Sequence, residues 1–523
     1  MASEAKRGLI RIAANYTRVF TVIVLGLVVV RLLLRGTGTE GWALISLLGA
    51  ATGLTAMTQE VVVSSLIREL GVVYHRGNDD HFRSTYNAAL AISSVIAVLT
   101  AALCFGLLLV LPLLEIPAEL LPAARWLVAA RGAQAVALIL LAAPFSMYKV
   151  TERMVAFNAW TIANRFGYLI AALVVLWQGI DDAGQAVTLY VVLSAVLVTV
   201  TLLVASILMA VIDRRLVPAP FTITRDALKS ILHVGAWNGA ATVATSLHHR
   251  LSQVIMNLAF GLWGNLVLGL ASHLTGAVKQ LAVGMTEGLD AVSTRLSTTS
   301  DDGAIRSLMR QSTRLHGFAT FPVAIGVAML AEPGLNLWVG NRLDDSQTTL
   351  AAATALIRIM ALGMASWTIA DGWIRILYGA GHVRCYAPLV IAGGIANPLL
   401  AGLLLLVLPE SVRYTAVCWS FSIVLFVVHG ILVPFAGARA LGMTPGQVLS
   451  PLLRPLIVAV ACSPILLPVF GHRDESLVMW LSLAIGAYAV VYTAACILFV
   501  MNGHERTRFT RAALRRLPMA AGR

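Results

Sequence analysis

Charge is scarce in this chain. Only 12% of its 523 residues are Asp, Glu, Lys or Arg, 59% are hydrophobic, and the mean hydropathy is +0.84. A soluble domain carries about 25% charged residues, so this composition excludes a soluble fold and points to a polytopic membrane protein. Cysteine is also sparse: Cys104, Cys385, Cys418, Cys462 and Cys496 stand apart in or beside apolar segments. Without a CxxC or any metal-ligand spacing, no disulfide framework, metal site or redox cofactor is expected. Lysine occurs only at Lys6, Lys149, Lys229 and Lys279. No G-x-x-x-x-G-K-[ST] is present, so the chain carries no P-loop ATPase of its own. Long polar stretches are missing too. Those at 67–83, 213–229 and 295–311 are too short to hold a soluble domain.

The chain does contain apolar runs. Fourteen can be drawn, from 12–34 to 476–500. The N-terminus is basic and then apolar, like a signal peptide. However, its first run ends in Arg31 and Arg35 and lacks an A-x-A site, so it reads as an uncleaved first helix. Cations fall into alternate connections: Arg68, Arg76 and Arg83; Lys149 and Arg153; Arg214, Arg215, Arg225 and Lys229; Arg306, Arg310 and Arg314; and the tail from Arg506 to Arg523. The intervening turns carry Arg35, Arg125, Arg342, Arg413 and Arg473, mostly in acidic company: Glu40, Glu115, Asp181, Asp182, Asp344, Asp345, Asp474 and Glu475. By the positive-inside rule both termini are cytoplasmic, in the inner membrane. The net charge of +13 therefore addresses membrane lipid rather than nucleic acid.

The order suggests a repeat. Six helices (1–213), a basic connector (214–230), six more helices (231–440), two extra helices (441–500) and a basic cytoplasmic tail (501–523) account for the chain. Helices one and two meet around RGTGTEGWALISLL, and helices seven and eight around FGLWGNLVLGLASHL. The fold class expected is all-α, with the two halves related by an axis along the membrane normal.

Several spans carry polar faces. In 231–260, Asn238, Thr242, Thr245, His249 and Ser252 follow at helical spacing, with Ser246, Arg250, Gln253 and Asn257 alongside. Packing by small and hydroxyl residues explains part of this; a water-filled path explains the cation as well. An Arg near the bilayer centre costs at least about 2.5–3.5 kcal/mol and should not face lipid. Helix one carries Arg11, Asn15 and Arg18, helix two Thr55, Gln59 and Glu60, and helix five Asn158, Thr161, Arg165 and Tyr168. Helix eight carries Thr275, Lys279, Thr286 and Asp290, with Gln280 and Glu287 beside them; helix ten carries Arg358, Thr368, Asp371, Arg375 and Tyr378. Arg11 and Arg165 also fit a snorkelling role. Asp371 and Arg375, at i and i+4, also fit a structural pair.

These faces point to a cavity of positive potential suited to a phosphate or pyrophosphate, with Arg18, His249, Arg250, Lys279 and Arg375 as anion contacts. Glu60, Glu287 and Asp371 are the candidates for coupling to H⁺ or Na⁺. No catalytic residue is assigned.

The stretches VVVRLLLRGTGTEGWALISLL, VVVSSLIRELGVVYHRGNDDHFRSTYNAAL, SILHVGAWNGAATVATSLHHRLSQVIMNLAFG and YGAGHVRCYAPLVIAGGIANPLL carry a family resemblance. With them the chain resembles the polysaccharide flippases (Wzx type) of the multidrug/oligosaccharidyl-lipid/polysaccharide (MOP) exporter superfamily. Many relatives carry an Asp where Ser252 stands, which leaves this seventh helix more basic. The resemblance implies two six-helix bundles in a V around a central cavity, plus two extra helices. It implies alternating access driven by an ion gradient, moving polyprenyl-pyrophosphate-linked oligosaccharide to the outer leaflet. Other membrane proteins of polysaccharide assembly are then expected partners. Two alternatives stay open: a multidrug or cation antiporter of the same superfamily, and a membrane polysaccharide polymerase or ligase using Asp181-Asp182 or Asp344-Asp345.

Overall fold

The computed structural model describes residues 2–75, 78–151, 153–219, 222–286, 289–298, 302–343, 345–471 and 476–500. Side chains at 2–13, 15–16, 50–69, 72, 75, 230–242, 245–247, 249, 281–285, 291, 295 and 298 are outside the description. Among the described residues the structure is helical, as lipid requires of backbone that must satisfy its own hydrogen bonds. The first half holds α1 (Ala2–His75), α2 (Asp79–Val110), α3 (Leu121–Leu140), α4 (Ala142–Val150), α5 (Met154–Gln178) and α6 (Ala183–Ile212). The second holds α7 (Arg225–Thr286), α8 (Leu289–Thr298), α9 (Asp302–Met329), α10 (Ala331–Val339), α11 (Ser346–Gly379), α12 (Val383–Val407), α13 (Ala416–Leu425) and α14 (Val433–Ala440). The extra pair is α15 (Pro445–Cys462) and α16 (Leu477–Phe499). Eleven described helices are long and apolar enough to cross a membrane, or twelve if the pair bent by 68° at 302–342 is one span.

The two longest helices are each two limbs joined at a glycine. Gly38 (φ 72°, ψ −179°) breaks α1, and Gly261 (φ 61°, ψ −154°) breaks α7. Both lie in a region of backbone space essentially reserved for glycine. The chain folds back there, since Val22 and Gly49, from opposite limbs of α1, line one cavity. The two breaks fall in the glycine-rich strings around which helices one and two and helices seven and eight were expected to meet.

Packing distinguishes the two ends of the molecule. At the Gly38/Gly261 end a single apolar core joins both halves: Leu44, Leu47 and Leu48 pack with Leu268, Leu270, Leu335 and Val339. At the other end the halves keep separate cores, one around Phe82, Tyr86 and Met147, the other around Trp373, Tyr386 and Met309. The result is a V whose closed end carries the glycine turns. Apolar stripes such as Val95, Leu99 and Leu103 on α2, and Leu399, Leu403 and Leu406 on α12, stay exposed and meet lipid. The extra pair packs on α9, where the Tyr492 hydroxyl donates to the Phe318 carbonyl at 2.9 Å.

The connector is strapped to the first bundle. Arg215 donates to Asp213 at 2.7 Å and to Asp79 at 2.8 Å, and lies over the rings of Tyr74 and Phe82. Asn87 donates to Thr222 at 2.9 Å and accepts from the Ala219 amide at 2.9 Å, while Ser84 and Thr224 share a 2.9 Å hydrogen bond. Hydrogen bonding from Arg215 holds the Asp213 carboxyl below the usual carboxylate range. Asp213 in turn raises the Arg215 guanidinium.

A basic cavity at the first bundle's inner wall

Both limbs of α1, with α3, α5, α6 and α7, enclose a cavity of about 710 Å³. That is the size of a small-ligand site. Its charged lining among the described residues is Arg131, Arg165 and Arg250, with His273 as the other basic group; no described Asp or Glu lines it. Arg250 lies eleven residues before the Gly261 turn, about 16 Å along its helix and close to half of a roughly 30 Å hydrocarbon core.

The arginines are held in place. Arg131 and Gln134 are one turn apart on α3, so both reach the same wall. Arg131 Nη1 donates to Gln134 Oε1 at 2.7 Å, and Gln134 Nε2 donates to the Tyr168 hydroxyl at 2.9 Å. The Arg131 guanidinium carbon lies 5.2 Å from the Tyr168 ring centroid and 5.8 Å from that of Tyr190, and Arg165 lies 5.9 Å from Tyr168. The aromatic faces orient the guanidiniums without neutralising them. Among the described residues neither Arg131 nor Arg165 has a carboxylate partner. The Trp42 indole N–H, also on the wall, finds no acceptor there either. Fixed planar donors have the geometry that suits an oxyanion.

The residues singled out in the sequence distribute as follows. Arg250 lines this cavity. Arg18 is outside its lining and lies over the Phe157 ring at 5.7 Å, with Lys149 at 4.4 Å from the same ring. Lys279 lies eighteen residues beyond Gly261, about 27 Å along the helix and toward the open end of the V. There its Nζ is 3.3 Å from the Trp367 ring centroid. It shares a second cluster with Asp371, whose Oδ2 accepts from Arg375 Nε at 3.0 Å and which Thr286 also faces. His316 and His429 border the same group, and His429 sits in a π-helical turn, Phe426–Leu432. Lys279 and Arg375 therefore belong to one ion-pair cluster, apart from the basic cavity. Glu287 lies outside the described residues, and the side chains of Glu60 and His249 do as well.

The polar face of α7 divides between two tasks. Ser252 faces α12, where Asn397 Nδ2 donates to the Ser252 hydroxyl at 3.3 Å and to the His248 carbonyl at 2.8 Å. This is packing between helices, whereas Arg250 looks into the cavity. Sequence reasoning passed over Arg131, Gln134, Tyr190, Trp42 and His273. The Arg131-x-x-Gln134 spacing inside an apolar span was the available signal. His273 had none, being a lone histidine on a helix already carrying other polar residues.

Residues 100–348 match a family model described as polysaccharide biosynthesis protein. A comparison with curated protein sequences returns no match. Among solved structures, the lipid II flippase MurJ in an inward closed conformation matches with a TM-score of 0.66 at 12% identity, over 96% of this chain and 99% of that one. An inward-facing multidrug resistance MATE family transporter of the MOP superfamily also matches at 0.66, with 13% identity, over 82% of this chain and 99% of that one. A MOP superfamily transporter from Pyrococcus furiosus matches at 0.64, with 14% identity, over 83% and 96% of the two chains; its description notes a binding pocket of reverse polarity. The chain is a multi-pass membrane protein with the fold of the MOP-superfamily flippases and transporters.

Proposed function

We propose that the chain flips a lipid whose head group is an oligosaccharide joined through a diphosphate, for surface polysaccharide assembly. The observation that carries this reading is the cavity holding Arg131, Arg165 and Arg250 with no acid among the described residues of its lining. Arg131 and Arg165, which have no carboxylate partner among the described residues, are costly in a membrane span, so a ligand that neutralises them is the simplest reason for their placement. A diphosphate offers paired oxygens to planar forks, and Gln134, Tyr168 and Tyr190 supply the polar and aromatic surface that sugars use. The family model's description and the flippase among the structural matches point the same way.

The two-bundle V then works by alternating access, with the connector end in the cytoplasm as the charge bias demands. The ion-pair cluster of Lys279, Asp371 and Arg375 would sit on the path toward the open end. An exporter of organic cations calls for an acidic cavity, the opposite of this one. A polymerase or ligase using the acidic turns is disfavoured because Asp182 and Asp345 are helix caps, accepting from the Gln185 and Thr348 amides at 2.6 and 3.4 Å.

The test is translocation by purified protein in liposomes. A diphosphate-linked oligosaccharide lipid should cross faster than in protein-free vesicles, and a quaternary ammonium dye should not. Dye efflux without lipid movement would establish the exporter instead.

A further inference from the structure

His273 occupies a place where the cavity wall and the contact between the two bundles are the same surface. It projects from the second limb of α7 into the basic cavity, and its ring bonds the Gly26 carbonyl on α1. A Cβ at Gly26 would lie 3.1 Å from His273 Nε2, so the missing side chain is what lets the imidazole approach. The other face of the ring stacks on Trp338, with centroids 5.8 Å apart and planes 23° from parallel. Trp338 Nε1 donates to the Leu27 carbonyl at 2.8 Å. Two successive carbonyls of α1 thus accept from two stacked rings of the second bundle, one of which looks into the cavity.

We propose that His273 couples occupancy of the cavity to this inter-bundle contact: an entering oxyanion draws a proton onto the imidazole, whose second N–H meets the anion while the first donates more strongly to Gly26. Resting on the diphosphate reading above, this makes His273 a positioning residue. The charged groups sharing the cavity among the described residues are Arg131 on α3, Arg165 on α5 and Arg250 on α7; Tyr168 and Tyr190 complete its titratable lining, and no described carboxylate faces it there. Arg165 opposes a further cation while the cavity is empty. An anion reverses that field and accepts from the second N–H of the protonated ring. The proton comes from water at the open end of the V, converts imidazole to imidazolium, and returns to water when the anion leaves. While the anion is bound, the charged His273–Gly26 contact and the Trp338–Leu27 bond reinforce the apolar core that joins the bundles at this end.

The test uses full-length protein in nanodiscs and dimethyl diphosphate, whose phosphates do not titrate near neutral pH. In the native protein, affinity should rise by up to tenfold for each unit the pH is lowered between 8 and 6, the signature of one proton taken up. Hydrogen exchange over residues 20–40 should fall with ligand. His273→Gln keeps an N–H donor, so it should bind within about threefold of the native affinity at pH 8, with no pH dependence and no exchange response. Gly26→Ala, which keeps the histidine, should retain the pH dependence and show raised exchange without ligand. The inference is overturned if His273→Gln remains pH-dependent, or if the native protein binds without pH dependence. A native protein that does not bind dimethyl diphosphate, or binds it regardless of Arg131→Gln, removes the diphosphate reading itself and this inference with it.

Discussion

Arg131→Gln is the sharpest perturbation of the basic cavity. Arg131 reaches it with one nitrogen already satisfied by Gln134 and its plane set by Tyr168 and Tyr190. Its remaining donors are pre-aimed, so little side-chain entropy is lost on binding. A hydrogen bond from a charged group contributes about 1.5–3 kcal/mol, and the neutral bond that Gln can offer about 0.5–1.5 kcal/mol. The difference of about 1–2 kcal/mol corresponds to roughly 5–30-fold weaker diphosphate binding. Stability should change far less: the substitution relieves an uncompensated charge while losing the aromatic contacts, terms of about 2.5–3.5 and 0.5–2 kcal/mol with opposite sign. The assay is equilibrium binding of dimethyl diphosphate beside a thermal melt in the same nanodiscs. Unchanged affinity with an unchanged melt would refute the assignment of Arg131 to the ligand. A large loss of stability would show that it is structural.

Three further outcomes follow from the geometry. Gly38→Ala and Gly261→Ala should each cost about 1–3 kcal/mol in chemical unfolding through backbone strain, since nothing lies close to a Cβ at Gly38. The helical Gly106→Ala, also facing open space, should show no loss, and equal effects at all three sites would disprove the strain argument. The connector strap should be acid-labile. The Asp213 carboxyl is held low, so its contribution is complete above the ordinary carboxylate range and lost as pH falls through the lowered value; protection of residues 213–219 from hydrogen exchange should persist at pH 5–8 and fail only below the ordinary carboxylate value of about 3.9. Asp213→Asn should remove that protection at neutral pH, and unchanged protection in that variant would contradict the strap. Asp371→Asn strands Arg375 and Lys279 in a partly wet cluster, so it should destabilise by about 2–3 kcal/mol, short of the 3–5 of a dry pair. A neutral melt would show that Asp371 is dispensable to the fold.

The sequence reveals helices, turns and charge bias because each is local: an apolar run must be helical in lipid, and Gly38 and Gly261 sit at the two turns read from glycine-rich strings. It reveals Arg250 for the same reason, as one cation inside one apolar run. The site as a whole depends on which helix faces which. Arg131 is marked by nothing but Gln134 one turn away, yet tertiary packing stacks it on Tyr168 and Tyr190 from two other helices. Lys279 and Arg375 looked equivalent to Arg250 by helical face, but the fold places them with Asp371. The π-helical turn that carries His429 has no sequence signature at all.

The central claim is that the cavity recognises a diphosphate head group, and translocation of matched lipids tests it most directly. Liposomes containing the purified protein would be loaded with two lipids of identical chain and sugar, one joined through a diphosphate and one through a neutral linker. The account expects the diphosphate lipid to flip and the neutral lipid to remain, with Arg131→Gln and Arg165→Gln together reducing the first to the rate of the second. Equal flipping of both lipids, unaffected by the two substitutions, would contradict it.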